Sequence, residues 1–308
     1  MSVVTVAIPV RNGGELFARV LDAVRAQRVG TDVELLVADT ASSDGSRERA
    51  LTAGARVIDV ARGDFGHGAT RNLLMREARG AHVALLTQDA EPADEHWLER
   101  LLDAFAAAER VALVFGPYLP RPGASPAVRR ELERWFGSLE PGVERLGEDE
   151  RELAAVELMG RRGFFSDANA CIDRAAWERV PFRDVAYAED RALALDMLRA
   201  GFAKVYEPRA AVLHSHDYGA RERFRRVFDE SSGLRDVYGW REPASPARLL
   251  SRLRGELGPR RREGAGAVSL AAAGCAEISR YVAAVLGSRA GRLPERLRRR
   301  LSLEARLR

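Results

Sequence analysis

Val37-Ala-Asp-Thr-Ala-Ser-Ser-Asp44 and Leu85-Leu-Thr-Gln-Asp-Ala90 decide how this chain folds. In each, an aspartate leaves a strand-like, mostly apolar run: residues 33–38 precede Asp39, and residues 82–86 precede Thr87, Gln88 and Asp89. A buried parallel strand delivers a side chain in this way into the cleft at its carboxyl end. Outward from these two runs, residues 3–9, 55–60 and 111–115 have the same β-rich character. Between them, residues 14–28, 46–53, 68–78 and 95–107 carry helical spacing. Strands alternating with helices of this length predict an α/β fold, with a mainly parallel, Rossmann-like sheet, right-handed crossovers and flanking helices over residues 1–117.

The pattern changes after Pro117. Residues 119–125 are rich in proline and glycine, and residues 126–136 are helical. Residues 140–151 are acidic and read as a mobile loop. An extended stretch at 163–172, a helix at 189–199 and short strands at 205–206 and 210–213 lead into His214-Ser-His216. Beyond residue 221 the chain is helical, with segments at 246–257, 267–286 and 294–307 separated by Gly/Pro breaks.

A chain of 308 residues buries a full α/β core and has residues left over. Hydrophobic content of 46% and charged content of 31% are those of an ordinary globular protein. No apolar run near span length and no leader peptide are expected from the sequence. Two distant cysteines, Cys171 and Cys275, argue against a disulfide framework or a cysteine metal site and suit a reducing cytoplasm. Net charge is +4 but unevenly spread: 16 arginines against six acids after residue 240 leave +10 there and −6 before it. Lys204 is the only lysine. A basic tail without interleaved aromatics or a nucleic-acid motif suits an anionic membrane surface better than nucleic acid; a solvated face is the plainer reading.

Several side chains carry candidate chemistry. Asp39 at a strand end can accept from the imide N–H of a uracil or thymine ring; it and Asp44 also read as turn or capping residues. Asp89 is placed to hold a hard divalent cation, Mg²⁺ or Mn²⁺, which prefers oxygen ligands and substrate phosphates. His214 and His216 share one side of an extended chain. They read as metal ligands, as partners for a diphosphate, or as a polar strand end. Glu189 and Asp190 open a helix, where the macrodipole alone favours acids; an ionised carboxylate there also suits a general base. Gly66-His-Gly-Ala-Thr-Arg71 is a glycine-flanked helix entry, where the N-terminus and Arg71 attract anions. No P-loop and no nucleophile elbow is present. The aromatic residues Trp97, Trp135, Phe136, Trp177, Phe182 and Trp240 read as packing groups rather than sugar platforms.

Taken in order, these fragments resemble the family 2 glycosyltransferases of GT-A fold. Ile8-Pro-Val-Arg-Asn12 is similar to the opening strand of that family, and Ser43-Asp-Gly-Ser46 to the turn after its nucleotide-binding aspartate. Thr87-Gln-Asp89 stands in the place of the Asp-x-Asp metal motif, with only its last aspartate kept. Phe65-Gly-His-Gly-Ala-Thr-Arg-Asn72, Phe165-Ser-Asp-Ala-Asn169 and His214-Ser-His-Asp-Tyr218 resemble the rhamnosyltransferase branch that builds surface polysaccharide. The stretches Arg280-Tyr281 to Leu293-Pro294 and Arg298-Arg-Arg-Leu-Ser302 resemble its tail.

The resemblance implies an inverting transfer of a sugar, L-rhamnose from dTDP-L-rhamnose, to a hydroxyl of a growing glycan or glycolipid. It implies that Pro9, Arg11, Asp39, Arg71, Thr87, Gln88 and Asp89 seat the nucleotide-sugar, and that Asp89 and His214 hold Mg²⁺ or Mn²⁺. It further implies that Asp190 is the base with Glu189 in reserve, and that Asp167, Asn169 and His216 meet sugar hydroxyls. The expected organisation is a glycosyltransferase domain over 1–240, its nucleotide half ending at 117, and a basic helical extension over 241–308. Expected partners are the donor, a glycan or lipid-linked acceptor and a membrane surface touched by the tail, in the cytoplasm or at the inner face of the membrane. Rival readings are another sugar donor, a nucleotidyltransferase, or a non-catalytic sugar-nucleotide-binding protein.

Overall fold

The computed structural model describes residues 3–307. It divides into two compact units, residues 1–217 and 218–308. The first runs β1 (Val3–Val10), α1 (Gly14–Arg25), β2 (Asp32–Asp39), α2 (Ser46–Thr52), β3 (Arg56–Asp59), α3 (His67–Glu77) and β4 (His82–Leu86). It continues with β5 (Glu91–Pro92), α4 (Trp97–Asp103), β6 (Val111–Phe115), β7 (Tyr118–Leu119), α5 (Pro126–Phe136) and β8 (Gly142–Glu144). It closes with β9 (Asn169–Asp173), α6 (Arg174–Arg179), α7 (Glu189–Arg199), β10 (Ala203–Tyr206) and β11 (Val212–Leu213).

Eight strands form one sheet in the order β3-β2-β1-β4-β9-β6-β10-β8. The neighbours β3, β2, β1 and β4 are parallel, as are β6 and β10; β9 runs antiparallel between β4 and β6, and β8 antiparallel along β10. The central strands bury both faces, as near-continuous runs such as Val-Ala-Leu-Val-Phe in β6 require. One core layer packs Phe17, Val20, Leu21 and Val24 of α1 with Trp97, Leu98 and Leu101 of α4. The opposite layer packs Leu74 and Met75 of α3 with Leu193, Ala194 and Met197 of α7.

Topology gathers the candidate residues at one edge. Pro9 and Asp39 are at the carboxyl ends of β1 and β2, and Thr87-Gln-Asp89 leaves β4. Antiparallel β9 begins there: Asn169 pairs with Leu86. Asp167 therefore enters the same edge from the other direction. A second, three-stranded sheet, β5-β11-β7, brings Leu213 beside Glu91 and Leu119, which draws residues 89 and 214 together across 125 positions of chain.

Three expectations change. Residues 140–151 are not a free loop: β8 lines the sheet edge, and Arg162 ties Glu144 at 2.8 Å and Glu150 at 2.9 Å. The sequence hid this because its acids are partners for a distant arginine rather than solvated charges. The second unit is helical, with α8 (Ala220–Tyr238), α9 (Pro246–Arg262), α10 (Ala267–Gly287), α11 (Glu295–Leu301) and α12 (Glu304–Leu307), so the expected domain boundary after residue 240 lies beyond α8. Helix α10 spans 21 residues with mean hydropathy 1.3, long and apolar enough by composition to cross a membrane, against the expectation of no such run. Its length is masked in the sequence by Glu277 and Arg280. Glu277 is buried, bound by Arg280 of its own helix at 2.8 Å and by Arg252 of α9.

Candidate active site

The nucleotide end of the site is built by mutual tethering. Asn12 and Ala41 take left-handed backbone conformations, φ 52° and 49°, which turn the chain sharply after β1 and β2. Asn12 Oδ1 accepts from Ser43 N at 2.8 Å. Asp44 accepts from Gly14 N at 2.9 Å and from Ser46 N at 3.0 Å, so it caps the starts of α1 and α2, its structural reading. Gln88 Oε1 accepts from Arg11 N at 2.8 Å and locks the end of β1 to the loop after β4. Between them, Asp39 is buried, and its Oδ2 accepts from Ser42 N at 3.1 Å. Its Oδ1 is buried with no hydrogen-bond partner among the described residues. A buried, unpaired carboxylate oxygen is costly, and a ring N–H would satisfy it.

Asp89, His214 and His216 form a tight cluster, their ligand atoms all within 4.8 Å of one another. Asp89 Oδ1 is 3.5 Å from His214 Nδ1, and Oδ2 is 3.1 Å from His216 Nε2. Burial raises the Asp89 carboxyl, but the His216 hydrogen bond and the two imidazoles outweigh it and hold the group well below the usual carboxylate range. Burial pushes His214 down, with Asp89 opposing, which favours the neutral imidazole that ligates metals. One ionised carboxylate and two imidazoles are a donor set that fits a divalent cation. Arg121, silent in the sequence, pairs with Glu91 at 3.1 Å and also with the Asp89 carbonyl, fixing the loop that carries Asp89.

A buried charged group lies around the start of α7. Arg71 of α3 donates from Nη2 to Asp167 Oδ1 at 2.8 Å, its Nε also pairs with Asp167, and its Nη1 is 3.4 Å from Glu189 Oε1. Asp190, half-buried beside them, is pushed up to about 6 by burial and by the neighbouring Glu189 charge. Tyr118 connects this group to the metal-type cluster. Its ring packs edge-on against His214 with centroids 4.9 Å apart, and its hydroxyl pairs with Ser166. Burial, then the charges of Asp190 and Asp167, push that phenol well up. Neither Tyr118 nor Ser166 was a candidate from sequence; their only signal was a position just after a strand end and beside Asp167.

Three expected placements change, the first being His216, expected at a sugar hydroxyl but lying 3.1 Å from Asp89 in the metal-type cluster. Asn169 is 0% exposed and fully engaged: Oδ1 accepts from Trp97 Nε1 at 2.8 Å, and Nδ2 donates to Ala210 O at 2.9 Å and Pro117 O at 3.2 Å. With no exposed surface, it is out of reach of a sugar hydroxyl in this conformation. Arg71, expected at the nucleotide, is 5% exposed and paired with Asp167 and Glu189. The motif around it is an anchor. Asn72 Oδ1 accepts from Trp177 Nε1 at 2.9 Å and Phe182 N at 3.0 Å. A Cβ on Gly68 would lie 2.2 Å from Arg183 O, so glycine is what lets the two segments approach.

Comparison with known proteins adds the decisive observation. The Glycosyl transferase family 2 model matches residues 5–179, the part that carries Asp39, Asp89 and Asp167. The chain belongs to the family 2 glycosyltransferases. The O-antigen chain rhamnosyltransferase RfbN of Salmonella typhimurium is 32% identical over 232 residues, 73% of this chain and 70% of that protein. The O-antigen chain rhamnosyltransferase WbaN of Salmonella anatum is 31% identical over 200 residues, 64% of this chain and 61% of that one. Among solved structures, a mannosyltransferase of Pyrobaculum calidifontis in complex with GDP-Man and Mn²⁺ is similar at TM-score 0.61 and 18% identity, over 94% of this chain and 88% of its own. A glucosyl-3-phosphoglycerate synthase of Mycobacterium tuberculosis, in complex with Mn²⁺, UDP-glucose and glycerol 3-phosphate, is similar at 0.53 and 20%, over 79% and 82%. These likenesses establish the GT-A fold, and this glycosyltransferase is an enzyme of that architecture.

Proposed function

We propose that this glycosyltransferase moves L-rhamnose from dTDP-L-rhamnose to a hydroxyl of a surface glycan, with inversion, in O-antigen-type polysaccharide synthesis. The observation that carries the reading is the cluster of Asp89, His214 and His216, with Tyr118 packed on His214 and bonded to Ser166 beside Asp167. The rhamnosyltransferase relatives support the sugar. The unpaired Asp39 Oδ1 supports a donor base with an imide N–H, thymine or uracil rather than cytosine.

In this reading Pro9, Arg11, Asp39, Thr87 and Gln88 frame the nucleotide. Asp89, His214 and His216 would hold Mg²⁺ or Mn²⁺, and the bound ion would offset the charge that grows on the departing diphosphate. Asp190 accepts the proton of the acceptor hydroxyl as that oxygen bonds to the anomeric carbon. The bond from that carbon to the diphosphate oxygen breaks, and its electron pair leaves with dTDP. Glu189, closed in by Arg71 and by His67 at 3.9 Å, is the poorer base. Fixed geometry and charge supply most of the acceleration.

The acceptor is a glycan, lipid-linked in this reading, and the second unit supplies contact with the membrane from the cytoplasmic side. Arg254, Arg261 and Arg262 of α9 are exposed, as are Arg296, Arg298, Arg299 and Arg300 of α11. Val268, Ile278 and Val282 of α10 are exposed too, a combination suited to an anionic interface.

The test is product analysis with labelled dTDP-L-rhamnose, Mn²⁺ and a lipid-linked glycan. Free dTDP and labelled glycan are expected. Pyrophosphate would indicate nucleotidyl transfer, and tight donor binding without turnover would indicate a binding protein.

A further inference from the structure

Three carboxylates and the guanidiniums of Arg71 and Arg191 lie at the start of α7, and Arg71 is the buried one. Arg71 and Asp167 are both buried and pair through two contacts, and Arg71 also reaches Glu189. Contacts of the Phe65–Asn72 stretch reach these acids and the segment ahead of α7: Asn72 binds Phe182 N, Gly68 lies against Arg183 O, and Arg71 pairs with Asp167 and Glu189. We propose that Arg71 and Asp167 form a positioning pair that holds the α7 acids in place and sets the charge around Asp190, and that Arg71 has no contact with the donor. This rests on the reading of Asp190 as the base.

The physical argument is a charge balance in a poorly hydrated site. Burial and like charges disfavour three ionised acids, and one buried cation compensates part of that cost. Burial, opposed by Arg71 and reinforced by the acids Glu189 and Asp190, pushes Asp167 up. The charged or titratable groups around Asp190 are Glu189 and Arg191 of its own helix, Arg71 of α3, Asp167 ahead of β9 and Tyr118 of β7. His67 of α3 faces Glu189, and Lys204 of β10 acts on Arg191. Arg183 in the preceding loop pairs with Asp196 farther along α7. Removing Arg71 therefore leaves the acids less compensated beside the base, and removing Asp167 takes one of the competing acids away.

The two changes have opposite signatures. The probe is release of dTDP from dTDP-L-rhamnose with Mn²⁺ and water as acceptor, followed across pH. Asp167→Asn moves the acidic limb of kcat to lower pH, and Arg71→Gln moves it to higher pH, each by about one unit. The double variant returns towards the wild-type limb. Arg71→Lys keeps the charge but loses the fork: its limb stays while kcat falls. Binding of dTDP stays unchanged in all four and is lost in Asp39→Asn. If Arg71→Gln does not fold, Asp167→Asn and Arg71→Lys still carry the test. Limbs that do not move, or move the same way, overturn the proposal. So does loss of dTDP binding in Arg71→Lys with Asp167→Asn unaffected, which would return Arg71 to the donor. An Asp190→Asn variant that still releases dTDP would overturn the base assignment instead.

Discussion

At the residue scale the account turns on which charges are free to act. Asp190 and Asp39 leave capacity for a ligand, one as a half-buried acid and one with an unpaired oxygen; Asn169 and Arg71 are buried among protein partners. Sequence identified all four by motif, yet sequence does not reveal which partner a polar group already has. Trp97, Pro117 and Ala210 fill Asn169 from positions 72, 52 and 41 residues away. The pH dependence follows directly. Asp190 must be ionised to accept a proton, so kcat should fall as pH drops through about 6, and a pH–rate profile at saturating donor checks it. The stability linkage has its own sign. The folded-state value lies above the ordinary 3.8, so this group favours the folded state at low pH and loses that advantage as pH rises through about 6. The metal-type cluster gives a second expectation. His214→Ala should weaken Mn²⁺ affinity, measured by calorimetry, by at least the ~10- to 100-fold seen for lost supporting groups; unchanged affinity would remove His214 from the ligand set.

At the scale of elements, the strands that end in Asp39 and Asp89 were legible because apolar runs and β-branched residues fix them. The small sheet β5-β11-β7 was not legible, since its strands are two residues long and derive from pairing rather than propensity. That sheet is what brings His214 and His216 to Asp89. Helix α9 likewise continues to Arg262 through Pro259, where the Gly258-Pro259 pair predicted a stop; near the helix end the lost N–H costs one bond. The α3 anchor yields a prediction at this scale. Gly68→Ala forces a Cβ against Arg183 O and should destabilise the fold by about 1–3 kcal/mol, read as a lowered urea midpoint. A stable variant would show that the two segments separate easily. Lys204 of β10 is a companion case. Its ammonium donates to Arg162 O and Phe164 O at 2.6 Å each, holding the loop that leads to Asp167, and burial lowers it to about 7. Lys204→Met leaves those carbonyls unpaired and should cost about 1–3 kcal/mol.

At the scale of the whole molecule, charge asymmetry was visible in the composition, with its excess of arginine after residue 240. The structure separates those arginines into two kinds. Arg248 and Arg252 pair with the buried Glu242, at 2.7 and 3.2 Å, and knit α9 to the segment before it. Arg254, Arg261 and Arg262 are exposed. Each exposed arginine is worth about 1 kcal/mol near an anionic leaflet. Changing the three to glutamine in the full chain should weaken binding to phosphatidylglycerol vesicles by roughly 100-fold, in a salt-dependent way. Equal binding by the variant would remove this face from the membrane contact.

The most direct measurement compares wild type and Asp190→Asn for rhamnose transfer from dTDP-L-rhamnose to a lipid-linked glycan, alongside dTDP affinity. The account predicts a loss of kcat of ~10²–10⁴-fold or more with dTDP affinity unchanged. Undiminished transfer, or parallel loss of dTDP binding, would contradict it.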